Sequence, residues 1–216
     1  METAPDLRRF REAYAAHRAA EGRGSGGEAE ALALPWLRTG PQRRQWAVRA
    51  RTFERFMEAV VAARVFEVPP RPLRVLDLGA GNGWLCYRLA DLGHRCIAID
   101  IRDDDVDGLR AAEAYRAHLP AMFGRVAASF EALPIADGVA DIAVFNASLH
   151  YALDLRRALE EAARVVVSGG RIAILDSPFY RTAEEGEAMV AEKKAEALLR
   201  FGARADVLTA PPFIEY

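Results

Sequence analysis

The stretch Val75-Leu76-Asp77-Leu78-Gly79-Ala80-Gly81-Asn82-Gly83 passes from a short apolar run directly into three glycines within five positions. An apolar run of this kind suits a strand buried on both faces. The glycines after it suit a tight turn that lets a ligand approach the backbone. Trp84 to Asp91 follows without Gly or Pro, so a helix over 83–91 would present free amides at its start, facing the same turn. Strand, glycine turn and helix can be purely structural, and the weight of the reading rests on what lies at the ends of the other strands.

From Leu73 onward, short apolar runs alternate with helical stretches. Strands are expected at about 73–78, 95–100, 124–128, 140–146 and 171–176, and helices near 83–91, 106–118, 152–167 and 182–200. The alternation predicts repeated βαβ units, hence an α/β fold. The expected form is a Rossmann-like three-layer sandwich with a mainly parallel sheet and helices on both faces, plus an N-terminal helical extension. In that extension Leu7, Phe10, Tyr14 and His17 give helical spacing from about Asp6 to Ala20, ended by the connector Gly22-Arg23-Gly24-Ser25-Gly26-Gly27. Trp46, Ala50, Phe53, Met57 and Val60-Val61 predict a second helix from after Gly40-Pro41 to about Phe66, and Pro69-Pro70-Arg71-Pro72 closes it. The chain divides accordingly into an extension, 1–68, and a ligand-binding domain, 69–216.

With 216 residues, 51% hydrophobic and 28% charged, the chain can bury one sizeable core with an appendage. A net charge of −2 gives no global drive toward nucleic acid or an anionic membrane, and a small-molecule substrate fits better. Between Trp36 and Phe66, seven arginines face only Glu54 and Glu58, which reads as a solvated helix face. Cys86 and Cys96 lie in apolar runs with no ligand partner at metal-binding spacing, so buried reduced thiols and no metal are expected. Neither a signal segment nor an apolar run of the roughly 18 residues needed for a membrane span is present, which makes the cytoplasm the default location.

In an open parallel sheet, ligands bind beyond the carboxyl ends of the strands. Asp100 closes the second strand 21 residues after Gly79, the separation at which an acid reaches a ribose diol. A carboxylate accepts from both hydroxyls at once. Two nucleotide-binding readings share this much. Trp84 stands where the dinucleotide pattern GxGxxG has its third glycine, which weighs against an NAD-dependent oxidoreductase. Asp77 is awkward beside a pyrophosphate but suits a zwitterion whose ammonium needs an acid.

Asp77 through Gly83 resembles motif I of the class I S-adenosylmethionine-dependent methyltransferases, and the similarity continues to about Pro178. The resemblance implies that Asp77 and the loop Gly79, Ala80, Gly81 and Gly83 hold the methionine end of S-adenosyl-L-methionine. It implies Asp100 on the ribose hydroxyls and Ile101 against the adenine. Ser129-Phe130-Glu131-Ala132-Leu133-Pro134-Ile135 is similar to the family's acid-x-Glu-x-Leu-Pro-Phe run, with Ser129 in place of the usual acid. The Ser129 hydroxyl and the Phe130 amide would then read the adenine edge. Asn146-Ala147-Ser148-Leu149-His150-Tyr151 matches the loop beside the transferable methyl, with Asn146 toward the amino group. Ser168-Gly169-Gly170 stands where the family has Pro-Gly-Gly.

The implied reaction is in-line methyl transfer to a small-molecule acceptor. If the acceptor must lose a proton, His150 is the first candidate base and Tyr151 the second. The N-terminal helices are the expected lid, with Trp36, Trp46, Arg49 and Arg51 as candidate pocket residues. Most members of the resembled family continue through another helix and a final antiparallel strand pair, whereas this sequence stops at Phe213-Ile214-Glu215-Tyr216. An open edge on the fifth strand, available to a second copy in a homodimer, is therefore expected. An oxidoreductase and a non-catalytic S-adenosylmethionine-binding module stay open as alternatives.

Overall fold

Five strands form one parallel sheet: β1 (Arg74–Leu78), β2 (Arg95–Asp100), β3 (Gly124–Ala127), β4 (Ala140–Asn146) and β5 (Val166–Leu175), in the order β3-β2-β1-β4-β5. They are seen in a computed structural model that describes residues 26–62, 71–201 and 214–215, together with 15, 18, 19, 22 and 24. Side chains alternate across the strands and feed two cores. Val75, Cys96, Ala98, Ile142 and Val144 pack on one face with Leu85 and Leu89 of α3 (Trp84–Asp91). Leu76, Leu78, Ile99, Ala143 and Phe145 pack on the other with Ala158, Ala162 and Val165 of α4 (Leu155–Val165). The three layers expected from the alternating pattern are present.

The amino ends of the central strands are tied by charge. Asp141, with a fully buried side chain, accepts from Arg71 at 2.7 and 2.8 Å and from the Arg74 amide at 2.8 Å. Burial alone would raise its carboxyl, but the hydrogen bonds from Arg71 and Arg74 overcome that and hold it well below the usual carboxylate range.

Several boundaries differ from those the sequence suggests. The segment expected as an α-helix over 106–118 is a 3₁₀-helix, Leu109–His118. Leu109, Ala112 and Tyr115 are its buried residues, and with three residues per turn a spacing of three lines them up along one edge. Ahead of it, the Asp104 carboxylate takes the amides of Val106, Asp107 and Gly108, which fixes a turn rather than a helix there. The fifth strand begins at Val166, not at 171. The β-branched run Val165-Val166-Val167 ends α4 early, and Ala140 pairs with Val166 while Ile142 pairs with Arg171, so Val167 to Gly170 bulge between them.

The N-terminal region holds α1 (Gly27–Ala33) and α2 (Arg43–Phe56), the latter continuing as a π-helical segment, Met57–Ala62. Gly27, expected in the connector, opens the helix Gly27-Glu28-Ala29-Glu30-Ala31-Leu32-Ala33, whose Ala, Glu and Leu are strong helix formers. Of the helix expected over Asp6 to Ala20, only Ala15, Arg18 and Ala19 are described, and all three are helical. The continuation to Phe66 lies outside the described residues.

α2 docks on the sheet through Trp46, Ala50, Phe53 and Phe56, all buried. Phe53 and Trp46 meet Trp84 edge-on at 5.6 and 5.7 Å, and Trp36 meets Phe53 at 5.8 Å. Arg88 of α3 donates to the carbonyls of Leu32 and Leu34, pinning the end of α1.

After β5 come β6 (Phe179–Tyr180), α5 (Ala183–Phe201) and β7 (Ile214–Glu215), and the two short strands pair parallel as a separate sheet. β5 is the edge of the five-stranded sheet, with Ile172 and Ile174 more than a third exposed. Among the described residues, no helix is long and apolar enough to cross a membrane.

Candidate functional site

The turn after β1 is held by its neighbours on both sides. The amides of Gly79 and Ala80 both donate to the Ile99 carbonyl, at 2.8 and 3.0 Å, and the buried Ser148 hydroxyl donates to the Leu78 carbonyl at 2.5 Å. Gly79 adopts φ +80, and a Cβ there would stand 2.4 Å from Ser148 Cβ. Only glycine permits both the left-handed backbone and this approach. Gly83, at φ +74, starts α3 against the Phe123 ring, which a Cβ would meet at 2.9 Å.

Asp100 ends β2 directly beside this turn. Its two oxygens are oriented by backbone: Oδ2 accepts from the Gly81 amide and Oδ1 from the Arg102 amide, each at 2.8 Å. Burial raises its carboxyl, and these two amides pull the other way. Each oxygen keeps a further acceptor site, so a carboxylate fixed in this way can receive a pair of neighbouring hydroxyls.

Two cavities open on either side of Asp100. One is lined by Ile101, Ser129, Phe130, Glu131, Tyr151 and Leu153. The Phe130 ring is set edge-on to Phe145 at 5.5 Å, and Glu131 takes the amides of Leu153 and Asp154, so a flat apolar slot is closed at its far end. The Ser129 hydroxyl accepts from the Glu131 amide at 3.1 Å and retains its own proton to donate. The other cavity is lined by Gly81, Asn82, Trp46, Arg49, Arg18 and Asn146. Gly79, Asp100, Arg102 and Ala147 line both, so the two are halves of one trough. An adenine fits the flat half, a ribose fits Asp100, and a charged amino-acid tail fits the polar half. The side chains present therefore suit S-adenosyl-L-methionine.

The structure brings Gly79, Ala80, Gly81, Asp100, Ile101, Ser129, Phe130, Asn146 and Tyr151 to this trough. Asp77, Gly83 and His150 line neither half. Asp77 lies sealed beneath the turn, 1% exposed. Its Oδ1 has no hydrogen-bond partner among the described residues, and Oδ2 meets only Cys86 Sγ, at 3.9 Å. Burial first, then the Asp100 charge, push its carboxyl up to about 8.

His150 is buried at the carboxyl end of β4, with Nδ1 3.3 Å from Ser177 Oγ and its ring 4.2 Å from that of Tyr151. Burial, and then the Arg49 charge, lower its imidazole to about 4. Ala147 and Asp176, at the ends of β4 and β5, both have left-handed backbones without being glycine. Such strain gathers at ligand sites. Thr52 of α2 donates to Asp176 Oδ1 at 2.8 Å, so the N-terminal helix also reaches this edge.

Sequence reasoning missed Arg102, Glu131 and Leu153 as wall residues. Arg102 is buried in ion pairs with Asp104 and Asp107. The run Arg102-Asp103-Asp104-Asp105 after Asp100 was the signal that could have found it.

Residues 76–174 match the profile of the methyltransferase domain family. The chain is 36% identical over 134 residues to a malonyl-(acyl-carrier protein) O-methyltransferase of Methylococcus capsulatus, covering 60% of this chain and 44% of that protein. It is 36% identical over 103 residues to a demethylmenaquinone methyltransferase of Mycolicibacterium vanbaalenii, covering 48% and 41%. The chain thus spans less than half the length of these curated relatives. Among solved structures, the YcgJ protein from Bacillus subtilis superposes with a TM-score of 0.53 at 19% identity, over 77% of this chain and 63% of that one, a likeness of fold. Among the described residues, no group of three His, Cys, Asp or Glu side chains is placed to hold a metal ion.

Proposed function

We infer from residues 76–174, which match the methyltransferase domain profile, that this protein is a class I S-adenosylmethionine-dependent methyltransferase and transfers a methyl group to a small-molecule acceptor beyond the carboxyl ends of β1 and β4. The observation that carries this reading is Asp100, its two oxygens set by the Gly81 and Arg102 amides between a flat apolar slot and a polar pocket. S-adenosylmethionine, when bound, supplies a methyl group activated for displacement by its positive sulfur. The chain's own part is placement. Asp100 receives the ribose hydroxyls, Ile101 and Phe130 enclose the adenine, and the Ser129 hydroxyl and Phe130 amide face its edge. The glycine turn and Asn146 hold the amino-acid end. Holding donor and acceptor in near-attack geometry can contribute about 7–11 kcal/mol to such a displacement.

Calorimetry is the direct test of the donor. S-adenosylhomocysteine is expected to bind and NAD not to. Asp100→Asn should weaken S-adenosylhomocysteine at least about tenfold, since hydrogen bonds to a charged group contribute about 1.5–3 kcal/mol. Tighter binding of NAD than of S-adenosylhomocysteine would sink the reading.

His150 and Tyr151 are the acceptor-side groups of this proposal, and within residues 1–68 the described helices α1 and α2 are its lid over the acceptor. A His150 with its imidazole near 4 is neutral at working pH but a weak base, so orienting the acceptor suits it better than removing a firmly held proton. Its NMR titration, assigned with His150→Asn, should show a neutral ring down to about pH 4–5. Folded imidazole below 6.5 means that the unfolded chain binds the proton first. Stability should therefore fall as pH drops from 6.5 to 4, by up to about 3 kcal/mol. A midpoint near 6.5 would remove the neutral-histidine reading.

The two relatives are named for different acceptors, so likeness does not carry the acceptor's identity. We place the reaction in the cytoplasm, a reading supported by Cys86 and Cys96, both buried and free.

A further inference from the structure

Two residues other than glycine hold left-handed backbones where β4 and β5 end: Ala147 at φ 55 and Asp176 at φ 51. The two ends are tied together, since the Ala147 amide donates to the Leu175 carbonyl at 2.8 Å. A strained conformation persists only where its neighbours enforce it. At Asp176 the enforcing contact comes from outside the sheet, because Thr52 of α2 donates to its Oδ1 at 2.8 Å. The alternative for that hydroxyl is the Val48 carbonyl one turn back along the helix, at 3.3 Å. The shorter bond, to a charged acceptor, is the stronger one.

Ser177 is thereby held from both sides. Asp176 is clasped ahead of it, and Pro178 behind it disfavours any helical backbone at Ser177. Ser177 Oγ lies 3.3 Å from His150 Nδ1, and neither this oxygen nor His150 Nε2 hydrogen-bonds any other described residue. This sets the direction of the bond. A hydroxyl accepting from Nδ1–H would leave its own proton without an acceptor, whereas one donating to Nδ1 uses it and keeps the imidazole proton on Nε2.

We propose that Thr52 and Asp176 are positioning residues that act through Ser177 to hold His150 as the Nε2–H tautomer, a hydrogen-bond donor toward the methyl acceptor. This rests on the reading above, which puts His150 on the acceptor side, and it narrows the acceptor's chemistry. A group that meets Nε2–H must bring a lone pair, as a carboxylate, carbonyl or phenolate oxygen does and an ammonium does not. It also gives the docking of α2 a chemical consequence: the helix that covers the site fixes which ring nitrogen carries the proton.

Nitrogen-15 NMR of the full chain at neutral pH reads the ring directly, with the His150 signals identified by their loss in His150→Asn. The wild-type protein should carry the proton on Nε2 in preference to Nδ1 by about tenfold or more, with the Nδ1 signal displaced as that of a hydrogen-bond acceptor. Ser177→Ala should abolish the displacement. Thr52→Val and Asp176→Gly should each remove most of it, and Thr52→Ser should retain it. Asp176→Gly covers the case in which Thr52→Val folds poorly, because glycine accepts the left-handed backbone and lacks the carboxylate. An Asp176 with a purely structural role predicts a folded glycine variant with an unchanged ring. A proton on Nδ1 in the wild type, or Nδ1 signals in Thr52→Val and Asp176→Gly that match the wild type, would overturn the proposal. None of these spectra needs the donor, so the donor reading stands or falls separately on S-adenosylhomocysteine calorimetry.

Discussion

Replacing Asp77 by asparagine is expected to abolish a stability loss that the wild-type protein suffers between about pH 4 and pH 8. The folded carboxyl sits at about 8 and the unfolded one at its ordinary value of 3.8, so between them the folded chain carries a proton that the unfolded chain has released. Raising the pH therefore favours unfolding, by up to about 1.4 kcal/mol per pH unit and on the order of 5 kcal/mol across the window. Urea unfolding at pH 5, 6, 7 and 8 should show the gap between Asp77→Asn and wild type moving in the variant's favour as pH rises. A gap that stays constant would mean that the buried carboxyl is ionised throughout.

The same substitution should weaken S-adenosylhomocysteine about tenfold or more: Asp77 lies beneath the turn and is uncharged in the free protein at neutral pH, and an ammonium arriving above the turn would ionise it.

Gly79→Ala should be nearly as damaging by another route. The left-handed backbone costs an alanine roughly 1–2 kcal/mol, and the clash with Ser148 adds about 1–3 kcal/mol, because the hydrogen bond to Leu78 leaves Ser148 nowhere to move. A loss of about 2–5 kcal/mol in chemical unfolding is expected, with donor binding lost even where the protein folds. Gly93→Ala is the reference. Gly93 has φ +86 with open space around it, so only the backbone part of the loss should appear there. Equal losses at the two positions would show that Ser148 yields.

The sheet and most of the donor trough were legible because their residues carry local signals. A two-sided buried strand is apolar throughout, a left-handed turn demands glycine, and Asp100 stands at a fixed distance from Gly79. What escaped was decided by tertiary context. Nothing in Asp77 announces that the turn will fold over it and seal it. The segment Leu109–His118, rich in alanine and arginine, reads as α-helix by propensity, and its 3₁₀ winding was not legible from that. Val166 could continue a helix or start a strand, and the edge of β4 decided it. Arg49 reads as one of seven arginines on a solvated face, and only the docking of Trp46 and Phe53 on Trp84 turns it toward the trough.

That docking seam contains every tryptophan the chain has: Trp36, Trp46 and Trp84. With Phe53 they touch edge to edge where α2 meets the start of α3, and none lies elsewhere. The protein's ultraviolet emission is consequently a local optical gauge. A red shift reports that α2 has lifted from α3 and wetted the buried indoles of Trp46 and Trp84, while the rest of the sheet stays spectroscopically silent.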